Sequence, residues 1–446
     1  MMRTRLGWMA IAVVVLTTAS RGLASGEPPP RVVMISVDGM MPDYFLKADA
    51  LSLKIPNLRR LMRDGAYARV NGVLPTVTYP SHTTLITGVL PRRHGIGNNR
   101  LFDPEERSNS AWRWYASEVQ VPTLVSAARA RGLSTGAVSW PVSVGTFADF
   151  NLPEFYRSGS EHPADLHLLE AISTPGLVAA VEKERGRPFA YPLTDAERTD
   201  TAVHILKRHR PQFLLLHIFE LDHAEHVYGP MTPEAKAAVE EGDTHVGEVL
   251  AALDAASLRA ETLVAIVSDH GFLPVRQAIR PNTLLREAGL LEVGENGKIA
   301  SWQAVFQAAG GTSFLHVKEG APEGVVARVR AALAPRLADP ASGIRNVLDH
   351  AAIEAMGGID VPLVLNAREG FMFVDGAVGD FQAPATVKGT HGYAPDREEM
   401  QASLILNGPG VRSRGDLGVV SMTRVAPTVA RVLGLALDPQ AGAPLP

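Results

Sequence analysis

Four stretches of the chain are largely apolar, the first and third of them rich in β-branched residues: Arg31–Val37, Pro211–Phe219, Thr262–Ser268 and Gln401–Asn407. Runs of this length without polar alternation predict strands buried on both faces, as in a parallel sheet covered by helices. Helical patterns lie between them. Leu58, Leu61 and Met62 mark one face of a helix over Ile55–Gly65, which Gly65 stops. Val121–Arg131 predicts a helix ended at Gly132, Ser134–Trp140 a short strand closed by Pro141, and Thr201–Arg210 another helix. Met231–Ala256 carries apolar Ala235, Ala238, Val246, Val249, Leu250 and Leu253 and predicts a long amphipathic helix. Ser421–Leu433 predicts a closing helix, whereas the glycines and asparagines of Pro91–Arg100 predict an irregular loop. Alternation of buried strands and helices predicts an α/β fold, a layered sandwich around a mostly parallel central sheet.

Two regions break this rhythm. Phe147 to about Thr199 mixes aromatics, prolines and charges without a clear period, and is expected to be an insertion over the sheet edge that caps the site. From about 280 to 386, shorter strands (Ser313–Val317, Gly370–Val374) and a helix near Glu323–Leu333 predict a smaller mixed subdomain. The N-terminus has the pattern of an export signal: Arg3 and Arg5, an apolar core from Trp8 to Leu16, then Gly22 and Ala24 at an A-x-A-like cleavage site. The expectation is a signal peptide over residues 1–25 and a periplasmic or secreted domain over 26–446, with an uncleaved N-terminal anchor as the alternative. No other stretch approaches the length of a membrane span.

Composition narrows the chemistry. The chain has 446 residues, 46% of them hydrophobic and 20% charged, which is ordinary for a folded protein. A formal net charge of −4 gives no sign of a nucleic-acid surface. There are no cysteines, which excludes disulfides, thiolate catalysis and sulfur-ligated metals. Any metal must be held by imidazole, carboxylate or hydroxyl groups, a donor set that suits catalytic zinc or manganese.

Three of the buried strands run into an aspartate: Asp38, Asp222 and Asp269. Histidines accompany two of them, His226 four residues after Asp222, and His270 next to Asp269. In a parallel sheet these strand ends share one edge, and three converging carboxylates repel one another unless cations lie among them. His391 lies in the glycine-flanked loop Lys388–Tyr393. Together with the hydroxyl of Thr78, in the turn bracketed by Pro75 and Pro80, the ligand count is too large for one tetrahedral ion and suits two. Two divalent ions roughly 3.5–4 Å apart are the usual clamp for displacement at phosphorus. Thr78 is then a candidate nucleophile, and a helix starting at Ser81 would aim free N–H groups at a phosphate oxygen. His82, His204, His217 and His245 are expected to pack, cap or support ligands. His223 and Glu225 are expected to be solvated or to support the neighbouring ligands. His94 lies in a loop that can approach the site.

These motifs, in this order, resemble the nucleotide pyrophosphatase/phosphodiesterases of the alkaline phosphatase superfamily. The resemblance spans Val32 to about Leu433. It rests on Val37-Asp38-Gly39, Pro75-Thr-Val-Thr78-Tyr-Pro80 through His82 and Thr87-Gly88, His94-Gly-Ile-Gly-Asn-Asn99, Asp222 with His226, Ser268-Asp-His-Gly271 and Gly389-Thr-His-Gly-Tyr393. It implies an alkaline-phosphatase-like three-layer α/β/α sandwich and two divalent metal ions, expected to be zinc. Asp38, Asp269, His270 and Thr78 would hold one ion, and Asp222, His226 and His391 the other. It also implies a covalent phospho-threonine on Thr78 and an Asn99 amide that donates to a phosphoryl oxygen. Tyr79 would be one face of a slot for a nucleobase or another flat group, with core packing as the alternative, and Tyr156 is a candidate for the other face. The implied activity is hydrolysis of phosphodiester or pyrophosphate bonds in nucleotide-like substrates. Phosphomonoester, phosphonate or phospholipid-type substrates on the same scaffold remain alternatives, because Arg92, Arg93 and Arg100 lie near Asn99 in sequence. A non-catalytic metal-binding protein is the rival from another class. Pro80-Ser81-His82 departs from the family's usual Pro-Asn-His; serine caps a helix as asparagine does, so the departure bears on substrate contacts.

Overall fold

The computed structural model describes residues 30–107, 111–156 and 163–446; the leader expected over residues 1–25 lies outside them. The larger part of the chain is built on eight strands: β1 Arg31–Val37, β2 Ala66–Asn71, β3 Thr135–Val138, β4 Phe150–Leu152, β5 Phe213–Ile218, β6 Thr262–Val267, β7 Ala402–Asn407 and β8 Gly415–Ser421. They form one sheet in the order β8-β2-β7-β6-β1-β5-β3-β4. β7 runs antiparallel to both β2 and β6; every other pairing is parallel. The continuous apolar runs are explained by the layers on either side. Val33, Ile35 and Val37 of β1 pack against helices Pro56–Arg63, Asp195–His209 and Pro233–Ala255. Val32 and Met34 pack on the opposite face, against helices Thr78–Thr87, Leu124–Ala130 and Val425–Leu433. Successive side chains point to opposite faces, so a strand covered on both sides must be apolar throughout.

Adjacency of β6, β1 and β5 positions the site. Val37 is level with Ile218, and Ser36 with Val267. The three strands therefore deliver Asp38, Asp222 and Asp269 to the same sheet edge, where open α/β sheets bind ligands. A second body follows β6: an antiparallel sheet of Ala304–Ala309, Thr312–Val317, Leu363–Ala367 and Ile344–Asp349, with a small sheet around Leu273–Ile279. It has its own apolar cluster, including Leu285, Phe306, Leu315 and Phe373.

The region 147–199 is more regular than its composition implies. Phe150–Leu152 is the edge strand of the main sheet, and helices Pro163–Ile172 and Leu177–Arg185 follow. The next helix begins at Asp195, six residues before the expected start. Thr194 and Glu197 form a reciprocal cap there, a Thr-x-x-Glu signal readable in the sequence. Pro91–His94, expected as loop, is one helical turn with proline at its start and Gly95 in the left-handed conformation at its end. Neither β2 nor β8 stands out in the hydrophobic pattern; β2 alternates buried and half-buried positions, and β8 is largely exposed.

Candidate active site

Thr78 is the first residue of helix Thr78–Thr87, and its side chain is buried with 8% exposure. The helix therefore starts three residues before the expected Ser81. This changes the anion-holding role expected of its N-terminus. Pro80 has no N–H, the Tyr79 N–H donates to Asn99 Oδ1 at 2.8 Å, and the Ser81 N–H bonds the Val77 carbonyl at 3.1 Å. Ser81 lies inside the helix rather than capping it, with its hydroxyl buried and unpartnered. Asn99 is fixed by the Tyr79 contact: Oδ1 must face the amide, so Nδ2 is the side chain's remaining donor.

The predicted metal ligands converge. Thr78 Oγ1 lies 3.5 Å from His270 Nε2. That nitrogen is 3.1 Å from Asp269 Oδ2 and 3.4 Å from Asp38 Oδ1. Asp222 Oδ1 is 3.6 Å from both His226 Nε2 and His391 Nε2. A tetrahedral site with Zn–N and Zn–O bonds of about 2.0–2.1 Å has ligand-to-ligand edges of roughly 3.4 Å, so these separations suit donors that share an ion. Asp38 Oδ1, Asp222 Oδ1 and Asp269 Oδ2 are buried without a hydrogen-bond partner. Buried carboxylate oxygens are costly unless a cation or donor meets them, so the residues fit divalent metal. Donor atoms of Asp38, Asp269 and His270 lie within 4.8 Å of one another, as do those of Asp222, His270 and His391. His270, whose ring stacks on His391 at 3.7 Å, sits between the two groups.

Electrostatics point the same way. Burial, then Asp269 and Asp222, raises Asp38 well above the usual carboxylate range. Burial opposes charge on His270, yet Asp269, Asp38 and Asp222 push its pKa up to about 9. The carboxylates thus attract a proton to this edge, and a cation answers the same field. His226 turns Nδ1 to the Gly389 carbonyl at 2.9 Å, which orients Nε2 toward Asp222.

Support around the cluster comes from residues that sequence separation hides. His217 donates Nε2–H to Asp38 Oδ2 at 3.0 Å and Nδ1–H to the Ser139 carbonyl at 2.9 Å. Although its burial opposes charge, Asp38 and Glu154 raise its pKa to about 10. His82 bonds the Thr78 carbonyl and Ser36 Oγ, both at 2.8 Å, and burial lowers its pKa to about 3. Glu225 is fully buried and accepts from Tyr44 at 2.6 Å, which settles it as a support, whereas His223 is exposed. His94 braces its own loop, meeting Thr84 Oγ1 at 3.0 Å and accepting from the Ile96 N–H at 3.1 Å. His204 and His245 meet Glu184 and Glu248.

The loop carrying His391 is laced to the nucleophile segment. Gly392 N donates to the Thr76 carbonyl at 2.9 Å, and Gly311 N donates to the His391 carbonyl at 2.8 Å. Gly392 has φ +83, and a Cβ there would lie 1.9 Å from the Ala309 carbonyl oxygen. Gly392→Ala is therefore expected to cost more than about 3 kcal/mol of stability and to weaken metal binding by displacing His391. Urea unfolding and metal titration of the variant check both effects; wild-type values would show that the backbone yields there.

Tyr79 differs most from expectation. Its ring is fully buried, packed with Ile96, Val142 and Trp112, so core packing describes it and it offers no open face. Trp112 covers it at 5.2 Å between ring centroids and meets Tyr156 on another side at 5.1 Å.

Comparison with known proteins adds a family and a fold to this geometry. Residues 32–394 match the type I phosphodiesterase / nucleotide pyrophosphatase family. The human ectonucleotide pyrophosphatase/phosphodiesterase family member 1 is 26% identical over 260 residues, 55% of this chain and 24% of that protein. The bovine bis(5'-adenosyl)-triphosphatase ENPP4 is 26% identical over 265 residues, 57% of this chain and 50% of that protein. The chain thus spans half or less of the length of these relatives. Human ectonucleotide pyrophosphatase/phosphodiesterase 5 superposes with a TM-score of 0.66 at 20% identity, over 93% of this chain and 97% of that one. The murine form, solved as an inactive variant in complex with AMP, superposes with the same score. The shared fold is the alkaline-phosphatase-like α/β architecture.

Proposed function

Since the chain belongs to the type I phosphodiesterase / nucleotide pyrophosphatase family, we propose that it hydrolyses phosphodiester and pyrophosphate bonds of small nucleotide-like substrates through a covalent phospho-threonine on Thr78. The observation that carries this reading is the position of Thr78 Oγ1, 3.5 Å from His270 Nε2 at the edge of the carboxylate and histidine cluster. Asp38, Asp269, His270 and Thr78 would hold one divalent ion, and Asp222, His226 and His391 a second, with zinc best suited to nitrogen and oxygen donors. Bound ions would supply the positive charge that lowers the pKa of the Thr78 hydroxyl and neutralises the departing oxygen.

Thr78 gives up its proton to solvent and attacks phosphorus in line. The new P–Oγ1 bond forms as the bond to the leaving oxygen breaks, and the electron pair goes with that oxygen. Asn99 Nδ2 donates to a non-bridging oxygen as negative charge develops there. Water then attacks the same phosphorus, Thr78 Oγ1 departs and is reprotonated, and a phosphate monoester is released. His82, held to the Thr78 carbonyl, keeps the attacking residue in place. The leader pattern at Arg3–Ala24 supports export, to the periplasm or beyond the cell.

Charge favours a diester over a monoester. A dianionic monoester would need added positive charge near Asn99. Arg100, Arg92 and Arg93 are each paired with a carboxylate instead: Asp375 at 2.7 Å, Glu354 at 3.3 Å and Asp438 at 2.8 Å. The test compares a nitrophenyl ester of a nucleoside monophosphate with nitrophenyl phosphate on zinc-loaded protein. The expected result is a kcat/KM at least about tenfold higher for the diester, a difference of about 1.4 kcal/mol in transition-state binding. A preference for the monoester would make the protein a phosphatase. Turnover of neither, with turnover of a phosphonate or phospholipid ester, would move the reading to those substrates.

A further inference from the structure

We propose that His217 sets the metal preference of the first ion site by limiting Asp38 to one oxygen; this rests on the reading above that Asp38, Asp269, His270 and Thr78 hold an ion. His217 lies within β5 and is 1% exposed. The parallel register puts it level with Ser36, two residues before Asp38. Its Nε2–H takes Asp38 Oδ2 at 3.0 Å, and its Nδ1–H is anchored on the Ser139 carbonyl at 2.9 Å. That anchor belongs to the sheet, because the Ser139 N–H donates to the Leu152 carbonyl at 2.6 Å. The Asp38 backbone is pinned as well, its N–H on the Ile218 carbonyl at 2.9 Å. The His82 ring packs at an angle against the imidazole, 4.5 Å away between centroids. A ring bonded at both nitrogens and packed on its flank cannot turn without losing both bonds.

The consequence is a count of donor atoms. Asp38 keeps Oδ1 unpartnered, 3.4 Å from His270 Nε2. Asp269 is divided in the same way: Oδ1 accepts from the Gly39 N–H at 3.1 Å, and Oδ2 is left unpartnered 3.1 Å from His270 Nε2. Each carboxylate therefore offers one oxygen. Asp38 Oδ1, Asp269 Oδ2, His270 Nε2 and Thr78 Oγ1 make four donor atoms, the number that zinc takes in a tetrahedral site. Manganese prefers octahedral sites richer in oxygen, and hard cations can take both oxygens of one carboxylate. The donor that occupies Asp269 Oδ1 is backbone, so His217 is the side chain that fixes the count. Without its Nε2–H, Asp38 Oδ2 is released as a fifth donor and the preference moves away from zinc. His217 is thus a positioning residue that acts on the ion through Asp38.

The experiment titrates metal-free wild type, His217→Asn and His217→Gln with zinc and, separately, with manganese, and resolves the two binding events by calorimetry. An asparagine amide stands where Nδ1 stood, so it keeps the Ser139 bond but does not reach Asp38. The longer glutamine amide reaches the Nε2 position and restores the donor to Asp38. In His217→Asn one zinc event should weaken about tenfold or more, the scale for losing a group that orients a metal ligand, while the matching manganese event holds or tightens. His217→Gln should keep most of the zinc affinity. The partners of His217 are Asp38, Ser139 and Glu154, so the event at Asp222, His226 and His391 should not move and serves as the internal control. Equal weakening of zinc and manganese overturns the inference, because His217 would then only support the pose of Asp38. An unchanged zinc affinity in His217→Asn overturns it, and so does a glutamine variant that behaves like the asparagine one. Urea unfolding checks that each variant folds, and His217→Ala gives the same comparison if His217→Asn does not. The titration needs no turnover. If wild type takes up both ions yet hydrolyses neither nitrophenyl ester, the functional reading falls, and a zinc preference lost in His217→Asn still supports this inference. If wild type hydrolyses the diester while His217→Asn keeps the wild-type zinc preference, the inference falls alone.

Discussion

Thr78→Ala is expected to lower kcat on the diester substrate by a factor on the order of 10^4 or more, the scale seen when a covalent nucleophile is removed. The substitution should leave the fold intact. Thr78 opens its helix through backbone geometry, with no side-chain cap from the preceding residue. Its bond to His82 also uses the Thr78 carbonyl, which alanine retains. Removing Oγ1 deletes the attacking atom and one donor of the ligand set, while Asp38, Asp269 and His270 remain. Metal content by elemental analysis should therefore fall far less than activity. Thr78→Ser keeps a hydroxyl at the same position and should recover part of the rate. Rapid acid quenching followed by intact-mass measurement tests the covalent step: wild type should gain the mass of a phosphoryl group with its nucleoside still esterified, and Thr78→Ala should gain nothing. Full activity in the alanine variant would remove Thr78 from the chemistry and leave the cluster as a metal site with another purpose.

Removal of metal is expected to abolish hydrolysis, lower Tm and invert the effect of Asp38→Asn on stability. An ion present at 100 times its Kd stabilises the folded state by about 2.7 kcal/mol, and the two ions proposed for this cluster would add their effects. With ions chelated, Asp38 is a buried carboxyl whose folded-state pKa is raised by burial, then by Asp269 and Asp222. The sign follows from linkage: a carboxyl whose pKa is higher in the folded than in the unfolded protein costs stability as pH rises above its unfolded value, because the folded chain must either keep a proton that the unfolded chain gives up or bear the buried charge. Asparagine removes that charge and still offers an oxygen to His217 Nε2. In chelator at neutral pH, Asp38→Asn should therefore melt above wild type; in saturating zinc it should melt below it and be inactive. Thermal unfolding of both proteins in the two buffers reads the crossing directly. If the variant melts below wild type in chelator as well, Asp38 is a structural anion paired with His217, and like-charge repulsion does not govern this edge.

How much was legible in the sequence differs between the framework and the site. β1, β5, β6 and β7 each carry a largely apolar run, and burial on both faces favours such a run whatever its neighbours are. The aspartates at three of the strand ends follow from the same reading, because parallel strands place their carboxyl ends together. The short edge strand Phe150–Leu152 carries no comparable signal. It owes its existence to pairing with β3, a partner that three residues of sequence do not name. The reversal of β7 is invisible for the same reason: a strand buried on both faces has the same composition in either direction.

The candidate site divides along the same line. Asp38, Asp222, His226, Asp269, His270 and His391 are recognisable as ligand types at strand ends and in a glycine-flanked loop, since their chemistry is local to each side chain. Their mutual distances, the contact of His217 with Asp38 and the orientation of Asn99 arise from contacts between segments far apart in the chain. His217 meets Asp38 across 179 residues, and Asn99 meets Tyr79 across 20. Tyr79 shows the limit most clearly. By type and position it could stack on a ligand or fill the core, and only the placement of Trp112 over its ring decides for the core. Sequence by itself determined the central buried strands, the candidate nucleophile and the donor types. Tertiary structure decided which faces remain open to a substrate, because exposure belongs to the packed chain and not to any residue in it.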